Sequence, residues 1–441
     1  MVVKIFFINQ PWTEACPPRS GDSTGIWTYQ ISQYLAQYFS VVYYGQATTS
    51  LKKKSQFIAD IHGIFSIEYR GIYPNLDDRI KLLTKITTKL DFCSHLPYFA
   101  STWFYWGYGW QIAKDIARQK SNSKVVHIHN HSQFIAPLRK YNPQSKIILH
   151  MHCEWVNRLN QKAIAKRLAK VDLVISCSNY VTNKIKERFP QYAAICRTVN
   201  NGVDANYFVP NPRQLPKSSN APPQLLFVGR ISPEKGIHDL IEAFIQVTVK
   251  YPQAILKIIG AHIVVAKEFL FDLQPEPEVQ ALKYFYSINY LEYVKSLVPA
   301  HLADQVIFID GLPQAQLLPY YQQADVVINP SLSEAFGMSL VEAMSTETPV
   351  VATKIGGMTE IVDDGVTGVL TEPGQPQALA AAICKIIADP IGAEAMGKAG
   401  RIKVQQRYSW EQIARSLIAH YADIGVDFPA NGSQKTVARS L

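Results

Sequence analysis

Short apolar runs of strand length alternate with stretches of helical periodicity along most of this chain. The runs Val3–Ile8 and Val41–Tyr44 frame one such stretch, in which Trp27, Ile31 and Leu35 recur at helical spacing. Strands that are apolar along their whole length are typical of parallel sheets buried under helices on both faces. The alternation therefore predicts an α/β chain with parallel sheets. Further strands of this first block are predicted at Val125–Ile128, Lys146–Leu149 and Leu173–Ser176.

A segment rich in proline, serine and asparagine, PNPRQLPKSSNAPPQ, interrupts the alternation between Pro210 and Gln224. This composition is typical of a linker. The alternation then resumes, and Ile237, Leu240 and Phe244 mark a helix behind the first new strand. We therefore predict two doubly wound domains that join near residue 215. The strands predicted in the second domain are Leu225–Val228, Ile255–Ile259, Val306–Ile309, Val326–Asn329 and Val350–Ala352.

These patterns divide the chain into five predicted parts. Ser409 can cap a C-terminal helix, and Gln412 completes a capping box there. Ligands of doubly wound sheets bind at the carboxyl ends of the strands, so two such sheets face to face would leave a deep cleft. The parts are an N-terminal Rossmann-like domain at 1–205, a linker at 206–223, a second Rossmann-like domain at 224–405, the C-terminal helix at 406–424 and a flexible tail at 425–441.

The composition narrows the classes of ligand. The formal net charge is +9, which favours an anionic small ligand, an anionic membrane surface or nucleic acid. The sequence has no dense run of Lys and Arg beyond Lys52–Lys54, so nucleic acid is the weakest of these three candidates. Six cysteines form no C-x-x-C pair, which is typical of reduced thiols in a cytoplasmic protein. The N-terminus is predicted as a strand rather than a signal peptide, and no apolar run reaches the roughly 18 residues that a transmembrane helix needs.

The stretch SLSEAFGMSLVEAM places two acids, Glu334 and Glu342, around the start of a predicted helix. The first backbone N–H groups of that helix, from Gly337, Met338 and Ser339, are left free for a phosphate. A carboxylate beside them would repel phosphate unless it accepts hydrogen bonds from the hydroxyls of a sugar diol. The pair therefore suits a diphosphate flanked by two sugars, as in a nucleotide sugar. The alternative is a chance pair of acids around a capped helix.

The stretch VGRISPEKG follows the first strand of the second domain. It places Arg230 and Lys235 at the carboxyl end of that strand. A guanidinium and an ammonium can together neutralise a diphosphate and a leaving group on which charge develops. Two ordinary surface charges are the alternative interpretation.

Histidines cluster in HIHNH, which begins at His127, and in HMH, which ends at His152. Such a cluster suggests a metal site. Both groups end predicted strands, however, and are expected at one edge of the sheet, so we favour a metal-free interpretation in which His127 belongs to the core. The sequence contains no D-x-D motif, which fits charge neutralisation by basic side chains and helix N-termini rather than by a divalent metal.

Five stretches together resemble one family: NNGVDANYF, VGRISPEKG, PSLSEAFGMSLVEAM, TPVVATKIGGMTEIV and DGVTGVL. They resemble the retaining glycosyltransferases of the GT-B fold, family four, also called glycosyl transferases group 1. The resemblance is strong over 224–372 and weaker over 3–208. It implies two Rossmann-like doubly wound α/β domains that face each other across a cleft, the first binding the acceptor and the second the nucleotide sugar. It also implies that the C-terminal helix crosses back to the first domain.

The resemblance implies roles for the residues of the second domain. Glu342 would bind the ribose diol, and Glu334 would contact the donor sugar near the reacting centre. Arg230 and Lys235 would hold the diphosphate. The backbone groups of four consecutive residues would line the sugar and phosphate pocket: Phe336, Gly337, Met338 and Ser339.

In the first domain the resemblance points to one histidine and one glycine. His152 matches the active-site histidine of the family and would contact the donor sugar or the acceptor, with His129 as a weaker candidate. The family carries a glycine-rich loop after its first strand. Here the loop PPRSGDSTGIW has Thr24-Gly25 in place of the usual glycine pair. Gly25 is the candidate for a close backbone approach to the donor, and a plain helix N-terminal glycine is the alternative.

The resulting expectation is a retaining hexosyltransferase that uses a nucleoside diphosphate sugar and neither metal nor cofactor. Its partners would be the donor and an unidentified acceptor, without nucleic acid. The expected location is cytoplasmic, and the basic first half suits a peripheral contact with the inner face of a membrane. Two alternatives stay open: another nucleotide-sugar enzyme of the same fold, such as an epimerase, and a binding or structural protein with a relict donor site. The base, sugar, acceptor, oligomeric state and route to retention stay open too, as do the roles of the aromatic-rich segments 103–110 and 263–299.

Overall fold

Contacts between residues divide the computed structural model into two compact units, each built on a sheet of mostly parallel strands. The first unit consists of Met1–Ser176, Thr182–Val199 and Ile413–Leu441, and the second of Cys177–Val181 and Asn200–Gln412. The predicted fold class, with two doubly wound α/β domains, is confirmed. The structure describes residues 3–15, 23–47, 56–58, 67–73, 100–101, 104–121, 123–211, 221–264, 271 and 277–426.

The described part of the first unit forms an eight-stranded sheet in the order β3-β4-β2-β1-β5-β6-β7-β8. All neighbouring strands run parallel except β3 and β4. The chain leaves β1 for β2 on one side and returns to β5 on the other, so the carboxyl end of β1 is a topological switch point. The strands are β1 Val3–Ile8, β2 Ser40–Gln46, β3 Gln56–Ile58, β4 Ile67–Ile72, β5 Ser123–His129, β6 Lys146–Met151, β7 Leu173–Ser176 and β8 Cys196–Thr198.

Helices cover this first sheet and are held by apolar side chains such as Trp27, Ile31 and Ile112, which are fully buried. The C-terminal helix begins in the second unit, and its residues from Ile413 onward belong to the first. Its predicted cap is confirmed, since Ser409 Oγ accepts a hydrogen bond from a backbone N–H at 3.4 Å. The helices are Ser23–Leu35, Trp106–Arg118, Ile135–Tyr141, Trp155–Arg158, Gln161–Leu168, Asn179–Arg188 and the C-terminal Trp410–Asp423.

The second unit forms a six-stranded parallel sheet among its described residues, in the order β11-β10-β9-β12-β13-β14. Leu240, Phe244 and Val247 on the helix after β9 pack into the core over this sheet. The strands are β9 Gln224–Val228, β10 Ile255–Ile259, β11 Val306–Ile309, β12 Val326–Asn329, β13 Val350–Thr353 and β14 Val369–Thr371. The helices are Ile237–Lys250, Pro277–Ala281, Tyr290–Ser296, Leu318–Gln323, Met338–Ser345, Met358–Ile361, Pro376–Ala388 and Pro390–Arg407.

Every predicted strand is present, and within the described ranges four strands were not predicted: β3, β4, β8 and β14. Three of these are only three residues long, which is too short for a periodic pattern. The fourth, β4, is interrupted by charged residues. Its Glu68 is nearly buried and pairs with Arg70 at 2.5 Å, so charges that read as surface residues in the sequence lie within the sheet.

Several predictions fall outside the described residues. They concern the linker over 212–220, the tail from 427, the basic run Lys52–Lys54, most of the loop before Gly25, and parts of both aromatic-rich segments. Within the described part of the second segment, Phe285 and Tyr290 pack into the core of the second unit. Across the residues that can be described, none of the helices has both the length and the apolar character needed to cross a membrane.

Candidate functional site

In the second unit, the loops that follow β9 and β12 touch each other at the carboxyl ends of these neighbouring strands. Gly236 ends the first loop at φ 64°, and a Cβ atom there would lie 2.1 Å from the carbonyl oxygen of Pro330. Only glycine allows both the left-handed backbone and this close approach. The contact brings Lys235, from the first loop, against Glu334 from the second.

Lys235 and Glu334 form an ion pair, with Nζ 2.6 Å from Oε2. The other carboxylate oxygen accepts a hydrogen bond from the Phe336 N–H at 3.4 Å. Burial alone would raise the pKa of Glu334, but the charge and hydrogen bond of Lys235, helped by Phe336 and Arg230, hold it below its ordinary value. Glu334 is therefore ionised at neutral pH, and its charge is already compensated. Because its charge is compensated, Glu334 can lie beside a helix end that binds anions.

Arg230 is anchored on the same side by a buried acid. Its Nη2 lies 3.0 Å from Oε1 of Glu234, whose side chain is 5% exposed, whereas the Arg230 side chain is 43% exposed. The same Glu234 oxygen accepts a hydrogen bond from Ser232 Oγ at 2.7 Å. The buried acid thus fixes one edge of the guanidinium and leaves much of the group facing solvent, where it can meet an anionic ligand.

The helix predicted to begin near Gly337 runs from Met338 to Ser345. Gly337 precedes it at φ 113°, which favours glycine. In its first turn the Leu340 N–H donates to the Gly337 carbonyl at 3.1 Å, whereas the N–H groups of Met338 and Ser339 come too early for a carbonyl of the helix and can bind an anion. The Phe336 side chain is 2% exposed and packs against Tyr408, so Phe336 can offer a ligand only its backbone.

Glu342 lies about one turn into this helix and is almost completely buried, at 4% exposure. Its Oε1 accepts a hydrogen bond from Gln314 Nε2, and its Oε2 accepts one from Tyr321 Oη, both at 2.6 Å. Burial raises the pKa of Glu342 although both hydrogen bonds act to lower it. Each carboxylate oxygen keeps a second lone pair for a ligand hydroxyl. The role of Glu342 at a ribose stays a prediction. Gln314 and Tyr321 lie in no recognisable motif, so nothing in the sequence marked them as the partners of Glu342.

In the first unit, the histidines of β5 and those of β6 and its end form one cluster around Trp27. His127, His129 and His150 are fully buried, and the ring of Trp27 lies 4.6 Å from that of His150. His127 Nε2 lies 3.1 Å from His150 Nδ1, and His129 Nδ1 lies 2.9 Å from His152 Nε2. His127 is a core residue, as expected, and His129 directly contacts the predicted active-site residue His152.

Burial keeps His127, His129 and His150 neutral. It lowers the pKa of His127, His129 and His150 well below the ordinary value of 6.5, and the neighbouring histidines lower the pKa further. Neutral imidazoles are also the form that binds metals, so the spacing of these rings decides whether they could hold a metal ion.

Three of the histidines, His127, His129 and His150, have ring nitrogens within 4.8 Å of one another, a spacing that a metal ion could bridge. The remaining contacts disfavour this. His127 Nδ1 lies 2.9 Å from the Tyr421 hydroxyl, and His129 Nε2 lies 3.0 Å from Thr28 Oγ1. All four ring nitrogens of His127 and His129 therefore face protein hydrogen-bonding groups. A metal would have to displace them.

The backbone of His152 is held by Asn130, a residue that was not among the predicted site residues. The His152 N–H donates to Asn130 Oδ1 at 2.7 Å, and the Asn130 N–H donates to the carbonyl of His150 at 2.8 Å. Asn130 adopts φ 58°, a left-handed conformation that asparagine tolerates better than most residues. An asparagine directly after a buried strand was the available signal for this role.

Gly25 lies in the first turn of the helix Ser23–Leu35 and is buried. The alternative interpretation, a helix N-terminal glycine, describes this position. Its close approach to a donor stays a prediction. The structure thus brings Arg230, Lys235 and Glu334 together beside one helix start in the second unit, and it brings His129 and His152 together in the first.

Two family models match the chain one after the other. The model of Glycosyltransferase Family 4 matches residues 38–207, and that of Glycosyl transferases group 1 matches residues 211–403. Together they account for most of both units.

The chain is also similar along nearly its whole length to known proteins. It is 29% identical to lipopolysaccharide 1,2-N-acetylglucosaminetransferase of Salmonella typhimurium over 423 residues, which cover 94% of this chain and 97% of the relative. Sucrose-phosphate synthase from Thermosynechococcus elongatus superposes with a TM-score of 0.63 at 21% identity, over 96% of this chain and 99% of its own. Anabaena Alr3699/HepE in complex with UDP-glucose gives a TM-score of 0.62 at 19% identity, over 95% and 99%. At these sequence identities, the two structures support the assignment of the fold and nothing further.

Proposed function

This chain belongs to the group 1 glycosyl transferases of Glycosyltransferase Family 4, with the GT-B fold, and from that premise we propose a specific reaction. It transfers a hexosyl unit from a nucleoside diphosphate sugar to an acceptor hydroxyl, with retention at the anomeric carbon and without a divalent metal. The proposal is supported by the family and by the Salmonella relative, whose name states the transfer of N-acetylglucosamine.

The observation that carries the proposal is the arrangement of Arg230, Lys235 and Glu334 beside the start of the helix Met338–Ser345. Two cations and the free N–H groups of a helix end complement a diphosphate. The carboxylate, already paired with Lys235 at 2.6 Å, is suited to accept hydrogen bonds from sugar hydroxyls. A diphosphate attached to a sugar satisfies all of these groups at once.

The same groups suit the chemical step. The bond between the anomeric carbon and the diphosphate oxygen breaks, and Arg230 and Lys235 stabilise the negative charge that grows on that oxygen. The acceptor hydroxyl attacks the same face of the sugar, and the departing phosphate takes its proton. Charge stabilisation by two cations and backbone N–H groups supplies what a metal would otherwise provide. His152 is proposed to contact the donor hexose or the acceptor.

A donor screen tests this function. Purified protein is incubated with UDP-, GDP- and ADP-sugars in the presence of a chelator, and nucleoside diphosphate release and thermal stabilisation are measured. One donor is expected to stabilise the protein, and Glu342→Ala is expected to abolish the effect. Glu394→Ala, at a side chain 67% exposed, is the matched control. The coupling constant of the anomeric proton in the product reports retention.

Other outcomes would favour the alternatives. Conversion of the donor sugar without transfer would indicate another nucleotide-sugar enzyme, such as an epimerase. Failure of every donor to stabilise the protein would favour a binding or structural protein with a relict site. Activity that appears only after Mg²⁺ or Mn²⁺ is added would contradict the metal-free mechanism.

Contact with an anionic membrane is a separate hypothesis, motivated by the net charge of +9. It predicts that the protein sediments with vesicles that contain phosphatidylglycerol at low salt and is released as the salt concentration rises. Absence of co-sedimentation at low salt would remove it.

A further inference from the structure

A continuous line of hydrogen bonds in the first unit leads from the carboxyl end of β1 to His152. Thr28 Oγ1 lies 2.8 Å from Asn9 Oδ1, 2.9 Å from the carbonyl oxygen of Thr24 and 3.0 Å from His129 Nε2. His129 Nδ1 in turn lies 2.9 Å from His152 Nε2. Asn9, Thr28 and His129 are fully buried, so water does not compete for these bonds.

The direction of these bonds follows from the proton inventory of Thr28. A hydroxyl has one proton to donate and can accept further bonds. The carbonyl oxygen of Thr24 can only accept. Asn9 also presents an acceptor, because its Nδ2 donates to the Tyr44 carbonyl at 3.2 Å and so turns Oδ1 toward Thr28. Thr28 therefore donates to one of these two oxygens, and its contact with His129 is a bond in which the histidine donates.

The direction of the bond between Thr28 and His129 also determines the proton position on His152. Burial keeps His129 neutral, so its ring carries a single proton, and Thr28 requires that proton on Nε2. His129 Nδ1 is then an acceptor. The bond between the two rings must consequently use a proton on Nε2 of His152. In neutral His152, Nδ1 is the nitrogen without a proton.

We propose that Thr28 and His129 are positioning residues that fix the tautomer of His152, so that His152 donates from Nε2 into the protein and keeps Nδ1 as a hydrogen-bond acceptor and base. The ligand group recognised at Nδ1 is a hydroxyl, on the donor hexose or on the acceptor. Orienting partners behind a functional imidazole act in this way in many sites. The tautomer itself is independent of any reaction, whereas its use on a substrate hydroxyl rests on the proposed function.

A second line in the same cluster provides an internal control. It runs from the Tyr421 hydroxyl to His127 Nδ1 at 2.9 Å and from His127 Nε2 to His150 Nδ1 at 3.1 Å. It touches neither Thr28 nor the bond between His129 and His152. Tyr421→Phe therefore removes a buried hydroxyl from the same cluster without altering the proposed line.

The direct experiment is nitrogen NMR on the full chain with ¹⁵N-labelled histidine, in which protonated and unprotonated ring nitrogens of neutral histidine resonate far apart. His152 is assigned by the loss of its signals in His152→Gln. We expect the wild type and Thr28→Ser to carry the His152 proton on Nε2, since serine keeps the hydroxyl. Thr28→Val should shift a measurable fraction of His152 to the Nδ1-protonated form, and Tyr421→Phe should not.

Turnover gives a second readout once a donor is known. Thr28→Val is expected to lower kcat by about 10- to 100-fold, the range known for groups that orient metal-binding histidines, with the donor KM within about twofold of wild type. Thr28→Ser should restore most of the loss. If the tautomers behave as expected and no variant affects turnover, the assignment holds and its catalytic use is wrong.

Two NMR outcomes would overturn the assignment. One is a wild-type His152 that carries its proton on Nδ1, and the other is a Thr28→Val variant with an unchanged tautomer. A third outcome comes from Zn²⁺ alone. If about one equivalent of Zn²⁺ raises the thermal midpoint and perturbs the His127, His129 and His150 signals together, the cluster is a metal site and the proposed line is wrong.

Discussion

In the second unit, the candidate site residues carry charges that are paired with one another. In the first unit, the candidate residues are histidine rings joined by hydrogen bonds. The pair Lys235–Glu334 places opposite charges 2.6 Å apart, and Glu334 has a lowered pKa. His129 and His152 approach almost as closely, at 2.9 Å, while burial suppresses the charge of His129. The first arrangement suits the binding of an anion, and the second suits the handling of a single hydroxyl proton.

This difference explains why the two regions respond to different changes. An ion pair fails when one charge is removed, because the other is left mostly shielded from water without compensation. A line of hydrogen bonds between neutral groups is broken when a substitution removes one donor or acceptor, even if the new side chain has the same size and charge. The predictions below use this contrast and run from the largest expected effect to the smallest.

Removal of the Lys235 charge should have the largest effect. Lys235→Ala is expected to lower kcat by about 10²–10³-fold, since it removes the cation that we propose to stabilise the leaving group and leaves Glu334 uncompensated. Steady-state kinetics with the preferred donor measures this. Lys235→Arg, which keeps the charge in another shape, should retain part of the activity.

The control for this prediction is Lys398→Ala. Lys398 also pairs with an acid, Glu394, at 2.5 Å, but its side chain is 59% exposed and lies on the helix Pro390–Arg407 rather than in the loop that carries Lys235. It should behave as wild type. If Lys235→Ala raised only KM and kept kcat, Lys235 would contribute equally to substrate and transition state, and its role at the leaving group would be wrong.

The second prediction concerns the buried acid of the same unit. Tyr321→Phe removes one of the two hydrogen bonds that hold Glu342, and we expect a loss of about 1–3 kcal/mol in the free energy of unfolding. Donor-induced stabilisation should weaken with it. Urea unfolding with and without donor measures both effects. Tyr320→Phe, at the neighbouring and more exposed tyrosine, is the matched control. An unchanged free energy would mean that Gln314 alone is sufficient to hold Glu342.

The sequence predicted the strands, loops and helices around this site better than the contacts between its side chains. Strand β12, the loop with Glu334 and the helix with Glu342 follow from one continuous stretch, because an apolar run, a glycine and a helical period each leave a local pattern. The hydrogen bonds and ion pairs between its side chains leave no such local pattern. Lys235 and Glu334 are 99 positions apart, and Thr28 and His129 are 101 apart. No local pattern links such residues, and their pairing depends on the sheet order.

The predicted strands and the missed strands differ in how local their sequence patterns are. Buried strands such as β1, with four fully buried residues, Ile5, Phe6, Phe7 and Ile8, are visible as apolar runs. Strand β4 keeps Glu68 and Arg70 within the sheet, where their mutual ion pair offsets part of the cost of burial. A charge whose partner lies two residues away cannot be distinguished from a surface charge by pattern alone.

The third prediction uses acid to probe the histidine region. The pKa of buried His127 is lowered, so the unfolded chain binds a proton below pH 6.5 that the native state does not. The stability that this creates is complete above pH 6.5 and is lost as the pH falls toward the folded-state pKa. Each such histidine should contribute about 1.4 kcal/mol of lost stability between about pH 7.5 and 5.5.

Urea unfolding of His127→Asn at these two pH values measures this effect as a smaller difference in free energy between them. His301→Asn, at an exposed histidine, should keep the wild-type difference. If both variants lost the same amount, the acid sensitivity would come from a general charge effect rather than from the buried cluster.

The smallest expected effect separates the two regions along the pH scale. The pKa of Glu334 is held below 4.5, so its pairing with Lys235 stabilises the protein above pH 4.5 and is lost only as the pH falls through its lower folded-state value. Mild acid should therefore loosen the histidine region of the first unit while the ion pair of the second remains intact. Hydrogen exchange at about pH 5.5, corrected for intrinsic rates, should show faster exchange in β5 and β6 than at pH 7.5, with little change around β12.

Glu334→Gln tests the ion pair directly. It should reduce the further loss of stability below pH 4.5 by about 1 kcal/mol or less, the range of a partly exposed pair. The change in stability between pH 7.5 and 5.5 should stay as in wild type. Equal loosening of both regions at pH 5.5 would show that acid acts on the two units through one common transition, and the contrast between paired charges and shared protons would then have no bearing on stability.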